Sequence, residues 1–495
     1  MKVRLFGRKY KRGVSTLEIL IAFAVLALTM TAVIVVVFSN QSVSVDTQTN
    51  NEALGLAQAR LEAAYAASKD DFYGLTNASS SVLSGPLSYQ VAVNFADAGA
   101  FAKQATSTVT WVDAGRAMSV VLSTLFTDAD GFWSGDTCSP TLTGDWTAPL
   151  GPSNGSNPGY GYYDFPSPDG TTGVDAAGGR AYVTTDPSSA TRPDFYVVDV
   201  SDPNPPGNTL SSLGSFNTTY GLTSVQVSGN YAYVSADSAA YQLLILDKVD
   251  PQHISITGKL KVTPSGDSAY GNTLSLDYKA HRVYLGTNTS SGDEFYIINV
   301  ADPANPVKLG SFPINAKVNQ ILVNGTTAYL ATASTSQVVA LDISNPASPQ
   351  LERAFPDDSS GLLSGESLLL SGNTLYFGRI GGGNSAWHYP QLFSLNASTL
   401  AENWRLTTAT HTGPTSHYDG VNRMILRSNL LFVAAPSSGG GFEIYDVSDP
   451  AHPPPRYDTN PVNIAQGTTA GFDCEGNYIF VGEGGNRALQ IIGPS

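Results

Sequence analysis

Few residues in this chain of 495 are placed to do chemistry, and they are scattered. Asp128, Asp130 and Asp136 crowd one Asp-rich stretch, and carboxylate oxygens are the ligands calcium takes. The later acidic ligand that an EF-hand loop requires is missing, which favours a solvated turn. His388, His411 and His417 would have to fold onto one face beside Asp419 to hold a metal, and exposed loop histidines are the simpler account. Cys138 and Cys474 are the only cysteines. Paired, they would close a very long loop, on the order of 4–5 kcal/mol in the chain-entropy description; two free thiols are the alternative. Trp387 and Tyr389 are candidate contacts for a glycan or a protein surface, against ordinary surface aromatics. The runs Gly381–Gly383 and Gly439–Gly441 read as flexible turns. There is no nucleotide loop, nucleophile elbow or zinc motif. No enzyme activity, cofactor or metal is expected.

One junction near the start carries processing chemistry. Lys2, Arg4, Arg8, Lys9, Lys11 and Arg12 lead to Gly13, and the chain continues VSTLEILIAFAVLALTMTAVIVVVF. The stretch from Ile19 to Phe38 holds no charge and no proline, long enough for one membrane-crossing helix. Glu18 sits at its edge, where a carboxylate is costly without a partner. A secretory signal would place its cleavage site after the apolar stretch, not before it. The basic leader would stay in the cytoplasm. This arrangement resembles the N-terminus of type IV pilin and pseudopilin precursors. The resemblance implies cleavage after Gly13 by a prepilin peptidase, N-methylation of Val14, and pairing of Glu18 with a neighbouring subunit's terminal amine during assembly.

The elements around these residues divide the chain. Residues 1–13 read as leader and 14–68 as one long N-terminal helix, with a membrane span over 19–38. Residues 69–127 read as a small β head. Leu54, Ala57, Leu61, Ala64 and Tyr65 recur at helical spacing, Ser88 to Phe95 alternates as a strand, and Asp113-Ala114-Gly115 marks a hairpin turn. The head resembles that of minor pilins and small pseudopilins. Residues 128–164, rich in Gly, Pro and Ser, form a connector. Charged residues make up only 14 %, the net charge is −15, and Gly, Pro and Tyr abound. Nothing resembles a basic groove, so nucleic acid is not an expected partner.

From 165 to 495 the chain repeats itself. Seven units recur at a period near fifty residues, with Tyr182, Tyr233, Tyr284, Tyr329, Tyr376, Phe432 and Phe480 aligned. Each unit continues into an apolar strand such as FYVVDV or FEIYDV, followed in most units by an Asp-Pro or Asn-Pro turn. Four short strands per unit is the size of a propeller blade. The units resemble the LVIVD-repeat propellers, with a departure in the fifth, where Ser394-Leu395-Asn396 replaces the usual ending. The last unit lacks its outer strand, so a strand from Tyr160 to Phe165 is expected to close the ring. That closure would bring Cys138 towards Cys474.

The fold expected is an α+β pilin-like part, a long N-terminal helix with a small antiparallel sheet, followed by an all-β seven-bladed propeller. The function expected is that of a minor pilin-like subunit of a type IV pilus-like filament, displaying the propeller for adhesion or partner recognition. A secretion pseudopilin touching cargo or channel, and a filament-tethered propeller enzyme acting on glycans, are the alternatives. The partners implied are other pilin-like subunits, the prepilin peptidase, the inner membrane before assembly, and an extracellular protein or glycan. The expected location is the inner membrane as precursor, then the cell surface.

Overall fold

The computed structural model describes residues 25–27, 29–30, 47–70, 75–84, 87–99, 102–113, 115–127, 137–139, 141–152, 159–165, 170–186, 191–289, 291–356, 363–381, 389–408, 419–437, 440–459, 462, 464, 471–483 and 489–495. The chain divides into two compact units, Met1–Ala129 and Asp130–Ser495.

In the first unit a 24-residue helix, Thr47–Asp70, lies on a four-stranded antiparallel meander. The strands are β1 (Ala78–Ser84), β2 (Leu87–Gly99), β3 (Ala102–Asp113) and β4 (Arg116–Thr127). Small helix residues let the backbone approach the sheet: Ala53 and Ala57 pack with Tyr89, Val91, Val109, Trp111 and Val120, and Ala64 with Val93, Ala105 and Phe126. Gly115 takes φ +80° at the β3–β4 turn, a conformation that a side chain would strain.

Two expectations are corrected here. The α+β fold class, led by a long N-terminal helix, does not stand: among the described residues the molecule is nearly all β, and its one substantial helix is Thr47–Asp70. That helix lays Ala53, Ala57 and Ala64 against the sheet and carries Glu52, Arg60 and Glu62, so it suits a protein surface rather than lipid. The expected inner-membrane precursor that later reaches the cell surface is corrected as well. Among the described residues, no helix is long and apolar enough to cross a membrane. Of the expected span, Val25, Leu26 and Met30 are exposed in helical backbone, while 19–24, 28 and 31–38 lie outside the described residues. Gly13, Val14 and Glu18 lie outside them too.

The second unit is a β-propeller. Seven antiparallel sheets follow one another over residues 171–216, 222–260, 271–312, 318–356, 363–406, 423–446 and 471–492. Their first strands are Thr171–Ala176, Leu222–Ser228, Gly271–Asp277, Val318–Asn324, Leu363–Ser371, Arg423–Arg427 and Gly471–Glu475. These strands neighbour one another in a closed cycle, the last touching the first, and so line the central axis. Among the described residues the sixth sheet has three strands, and in the last sheet Tyr162–Tyr163 pairs with Leu489 and Gln490 as the outermost strand. The closing strand therefore falls within the segment expected from sequence.

The repeat of aromatics is what holds the blades together. All seven aligned residues are buried. Tyr182 of the first blade packs against Leu222, Val234 and Leu244 of the second, and Tyr233 against Leu274 and Val283 of the third. The series continues round the ring to Phe480 of the last blade, which packs against Val174 and Val183 of the first. A propeller sheet is apolar on both faces, and only a neighbour on each side can bury both. Glycine permits the tightest approach. In the outer strands, a Cβ on Gly214, Gly258 or Gly310 would run into the carbonyl oxygen of Pro251, Pro303 or Pro346, each in the Asp-Pro or Asn-Pro turn of the following blade. The recurrent Pro turns and the recurrent outer-strand glycines are two halves of one contact.

Candidate functional site: the open end of the propeller

The two ends of the ring differ in construction. At one end the first and second strands of each blade join through tight turns, as at 229–230 and 325–326, and the Asp-Pro turns lie at that same end. At the other, open end lie the longer connections 186–194, 237–242, 288–294 and 382–391, together with the segments that pass from blade to blade.

A polar residue stands at the start of the third strand of the first five blades, all fully buried: Asp194, Gln242, Glu294 and Gln391 immediately precede it, and Gln337 is the second residue of Ser336–Asp342. Each secures a segment passing to the next blade. Asp194 accepts hydrogen bonds from the N–H of Thr218 (2.8 Å) and of Gly221 (3.2 Å), and from the Thr218 hydroxyl. Burial raises its pKa, and those hydrogen bonds oppose the rise. Glu294 accepts from the N–H of Ile314 (2.9 Å) and Asn315 (2.8 Å). The Gln242 amide donates to Ala269 O (3.0 Å) while its oxygen accepts from Val262 N–H (3.0 Å). Gln337 donates to Leu363 O (2.8 Å) and accepts from Arg379 (3.2 Å). Gln391 accepts from Thr408 N–H (3.2 Å). A buried polar group is tolerated only when so bonded. These residues fix the frame on which the open-end loops are mounted.

On that frame, four blades bring side chains to the mouth of the ring. Asp186 and Asp237 directly follow second strands, Tyr270 precedes the third blade, and Lys317 precedes the fourth. The backbone locks them: Asp237 N–H donates to Gly221 O (3.0 Å), Asn288 N–H to Tyr270 O (3.2 Å), and Ala333 N–H to Lys317 O (2.9 Å). Desolvation raises the Asp237 pKa although Lys317 pulls it down. Desolvation likewise raises the Tyr270 phenol, with Asp237 and Asp186 adding to the rise. Tyr220 and Tyr241 stand near by in an edge-to-face pair at 5.8 Å. The group combines acceptors, one cation and flat aromatic faces, which suits a polar ligand presenting hydroxyl groups or a mixed protein surface.

Tyr389, expected as a ligand contact, is half-buried at the open end of the fifth blade. It precedes Pro390, whose carbonyl accepts two hydrogen bonds from the buried Arg379 (2.9 and 2.6 Å). The Arg379 guanidinium also lies over the Phe393 ring at 4.5 Å. Trp387 lies outside the described residues, as do His388, His411, His417, Asp128, Asp130 and Asp136; Asp419 pairs in a short added strand with Gly381. Cys138 and Cys474 are joined as a disulfide with a Cα–Cα distance of 5.2 Å. Asp473 lies beside both sulfurs. Those sulfurs are committed to each other and offer no thiolate to a metal.

Sequence reasoning overlooked the buried residues Asp194 to Gln391 and the mouth group. A signal for the former was present: a polar residue stands at the start of the apolar third strand in five successive blades, although its type varies between Asp, Glu and Gln.

The chain carries LVIVD repeats, matched over residues 222–261 and 316–355. No curated protein is similar enough in sequence to count as a relative. Among solved structures, BamB from Moraxella catarrhalis is similar at 12 % identity and a TM-score of 0.42, over 72 % of this chain and 94 % of that one. A protein from Lactobacillus plantarum is similar at 12 % identity and a TM-score of 0.48, over 73 % and 93 %. A quinoprotein alcohol dehydrogenase-like protein from Bacteroides thetaiotaomicron is similar at 9 % identity and a TM-score of 0.35, over 79 % and 84 %. These likenesses concern the fold alone.

Proposed function

We propose that this chain is a minor, pilin-like subunit of a pilus-like filament, in which the propeller recognises a protein or glycan partner through its open end. The observation that carries the recognition half is the group at the mouth, where Asp186, Asp237, Tyr270 and Lys317 come from four connections on a rigid ring. Binding residues are commonly found on loops held by such scaffolds. The assembly half rests on the order Gly13, Val14 and Glu18, with processing after Gly13 and assembly through Glu18.

Two experiments test the halves separately. Filaments sheared from cells producing a tagged copy are examined by immunogold microscopy, with a Gly13→Ala strain in parallel. Sparse or terminal label that disappears with Gly13→Ala is expected, and label along the whole length would replace the minor-subunit reading with a major one. The isolated chain is then screened against immobilised glycans and proteins, with Asp237→Ala and Tyr270→Ala alongside. Binding that both substitutions abolish without unfolding is expected. Binding that both leave intact would move the site away from the mouth.

A further inference from the structure

The ring closes between the first sheet and the last, whose other three strands come from the far end of the propeller sequence, and two carboxyl groups meet at that seam. Asp473, on the innermost strand of the last blade, accepts a hydrogen bond from Ala176 N–H of the first blade at 2.6 Å. Asp175, on the innermost strand of the first blade, accepts one from Val227 N–H of the second. The two carboxyl groups are also hydrogen-bonded to each other. Two carboxylates cannot share a hydrogen bond; one must carry a proton. We propose that a proton shared by Asp175 and Asp473 locks the closing seam of the propeller, so that the ring is tight in acid and loosens as the proton is lost.

The seams between the second and third blades and between the fourth and fifth are built differently at this level. Leu276 N–H is received by the Gln226 amide of the preceding blade, and Leu368 N–H by the Gln320 amide at 2.7 Å. Amide acceptors do not titrate. The closing seam alone, among the described residues, has a carboxyl pair in this role, and it also holds the disulfide. Both residues are half-buried, and their carboxyl groups are closely surrounded by protein. Desolvation pushes Asp175 up to about 6 and Asp473 well above the usual carboxylate range, the charge of Asp175 adding to the rise at Asp473.

Other charged groups face the pair from every side. From the last blade comes Glu475, which accepts Gly179 N–H at 2.9 Å and is itself raised by burial. From the second blade comes Lys248, which donates to Gly229 O at 2.7 Å, lies 4.7 Å from the Tyr182 ring centroid, and is depressed to about 8 by burial. The first blade adds Tyr182 and Arg180. Arg427 of the sixth blade reaches Cys474 Sγ at 2.8 Å. Lys248 favours ionisation of Asp175, and Glu475 opposes it.

The sign follows from linkage. A carboxyl whose folded pKa is raised contributes stability that is complete below its unfolded value, near 4, and is lost as pH rises through the folded value. For Asp175 the window runs from about 4 to about 6, and for Asp473 the loss runs in the same direction. Lys248 acts in the opposite sense, but only above about 8.

The test is thermal unfolding of the full chain, disulfide intact, between pH 5 and pH 8, for the wild type, Asp175→Asn and Asp473→Asn. Asparagine keeps an acceptor and supplies a donor at every pH. The wild-type midpoint of the propeller transition is expected to fall on the order of 5 °C over this range, and the fall should be at least halved in either variant. Other raised carboxyls, among them Asp194 and Asp237, contribute equally to all three proteins and cancel in the difference. Equal slopes in all three proteins overturn the proposal. If one variant does not fold, the other reports on the same proton. Infrared spectroscopy supplies an independent reading: a protonated carboxylic acid band should persist at pH 6 in the wild type and be weaker in the variants, where only the other raised carboxyls remain. Its absence from the wild type would likewise overturn the proposal.

Discussion

The seams between consecutive blades and the seam that closes the ring solve one problem in two ways. At an interior seam the chain itself passes from blade to blade, and small repeated contacts suffice. Thr172 donates to Leu222 O (2.6 Å), Thr223 to Gly271 O (2.8 Å), Asn272 to Val318 O (2.7 Å) and Asn319 to Gly365 O (2.7 Å). One position in each of the first four innermost strands thus ties to the beginning of the next. The last blade is different: its outermost strand, Tyr162–Tyr163, leads on in sequence to the first blade but has no peptide link to Leu489–Ile492 beside it, and the contacts there are heavier. Segments 137–139, 141–152 and 159–163 lie along the last blade: Cys138 is bonded to Cys474, Leu150 exchanges two backbone hydrogen bonds with Gly493 (2.8 and 3.0 Å), and Tyr162–Tyr163 complete the sheet. Trp146 sits buried between the last two blades, its ring 4.9 Å from Phe432. Where the chain does not supply proximity, side chains must, because loop-closure entropy is otherwise unopposed.

The comparison breaks most readily at Trp146. Trp146→Ala would empty a buried site shared by Phe432, Ile479 and Ile492, and such truncations cost about 3–5 kcal/mol. Chemical denaturation should show a loss as large as that for Tyr284→Ala at an interior seam. A loss under about 1 kcal/mol would mean that the wrapping segment merely rests on the ring. Next comes the disulfide. Replacing Cys138 and Cys474 together by serine should cost about 2–5 kcal/mol. Hydrogen exchange should show that loss first in the first and last blades, with the third and fourth still protected; uniform loss of protection would erase the distinction between seams.

These two expectations also show what the sequence could disclose. The ring was legible because one aromatic recurs at one place in seven units, and because the last unit ended one strand short. The departure in the fifth blade, Ser394-Leu395-Asn396, still forms its strand: Ser394 is buried and Leu395 packs in the core. Asp175 and Asp473 were not legible as a pair, since they lie near opposite ends of the propeller sequence and meet only when the ring closes. The group at the mouth was hidden for a similar reason. Asp186, Asp237, Tyr270 and Lys317 occupy ordinary loop positions, and only the cyclic order of blades brings them together. The helical spacing of Leu54, Ala57, Leu61, Ala64 and Tyr65 was legible and falls in the helix Thr47–Asp70, but spacing alone does not tell how far a helix extends.

Interior seams should fail by crowding rather than by loss of contact. Gly258→Ala places a methyl group against Pro303 O and Pro306. Overpacking of this kind costs about 1–3 kcal/mol. Gly55→Ala in the helix of the first unit has open space around its new Cβ and should instead stabilise that unit by about 0.5–1 kcal/mol. Opposite signs for one chemical change, read by denaturation of the two units, would show that the outer-strand glycines are required by blade contact. Equal signs would remove that account.

The smallest stability effect should fall at the open end. Tyr270→Ala removes a half-buried ring beside Asp237 and Asp186, while the hydrogen bonds that hold the loop use the Tyr270 backbone, not its side chain. Its effect on folding should stay within about 0.5 kcal/mol, as for surface positions away from caps and cores. The Glu294→Ala change, one layer inward, leaves the N–H groups of Ile314 and Asn315 without their acceptor and should cost about 1–3 kcal/mol. If the mouth is a recognition surface on a rigid frame, the two substitutions should separate: Tyr270→Ala would lose ligand at full stability, and Glu294→Ala would lose stability with ligand binding reduced only in proportion to the folded fraction. Loss of stability in both would make Tyr270 part of the frame and leave the mouth without a residue free to bind.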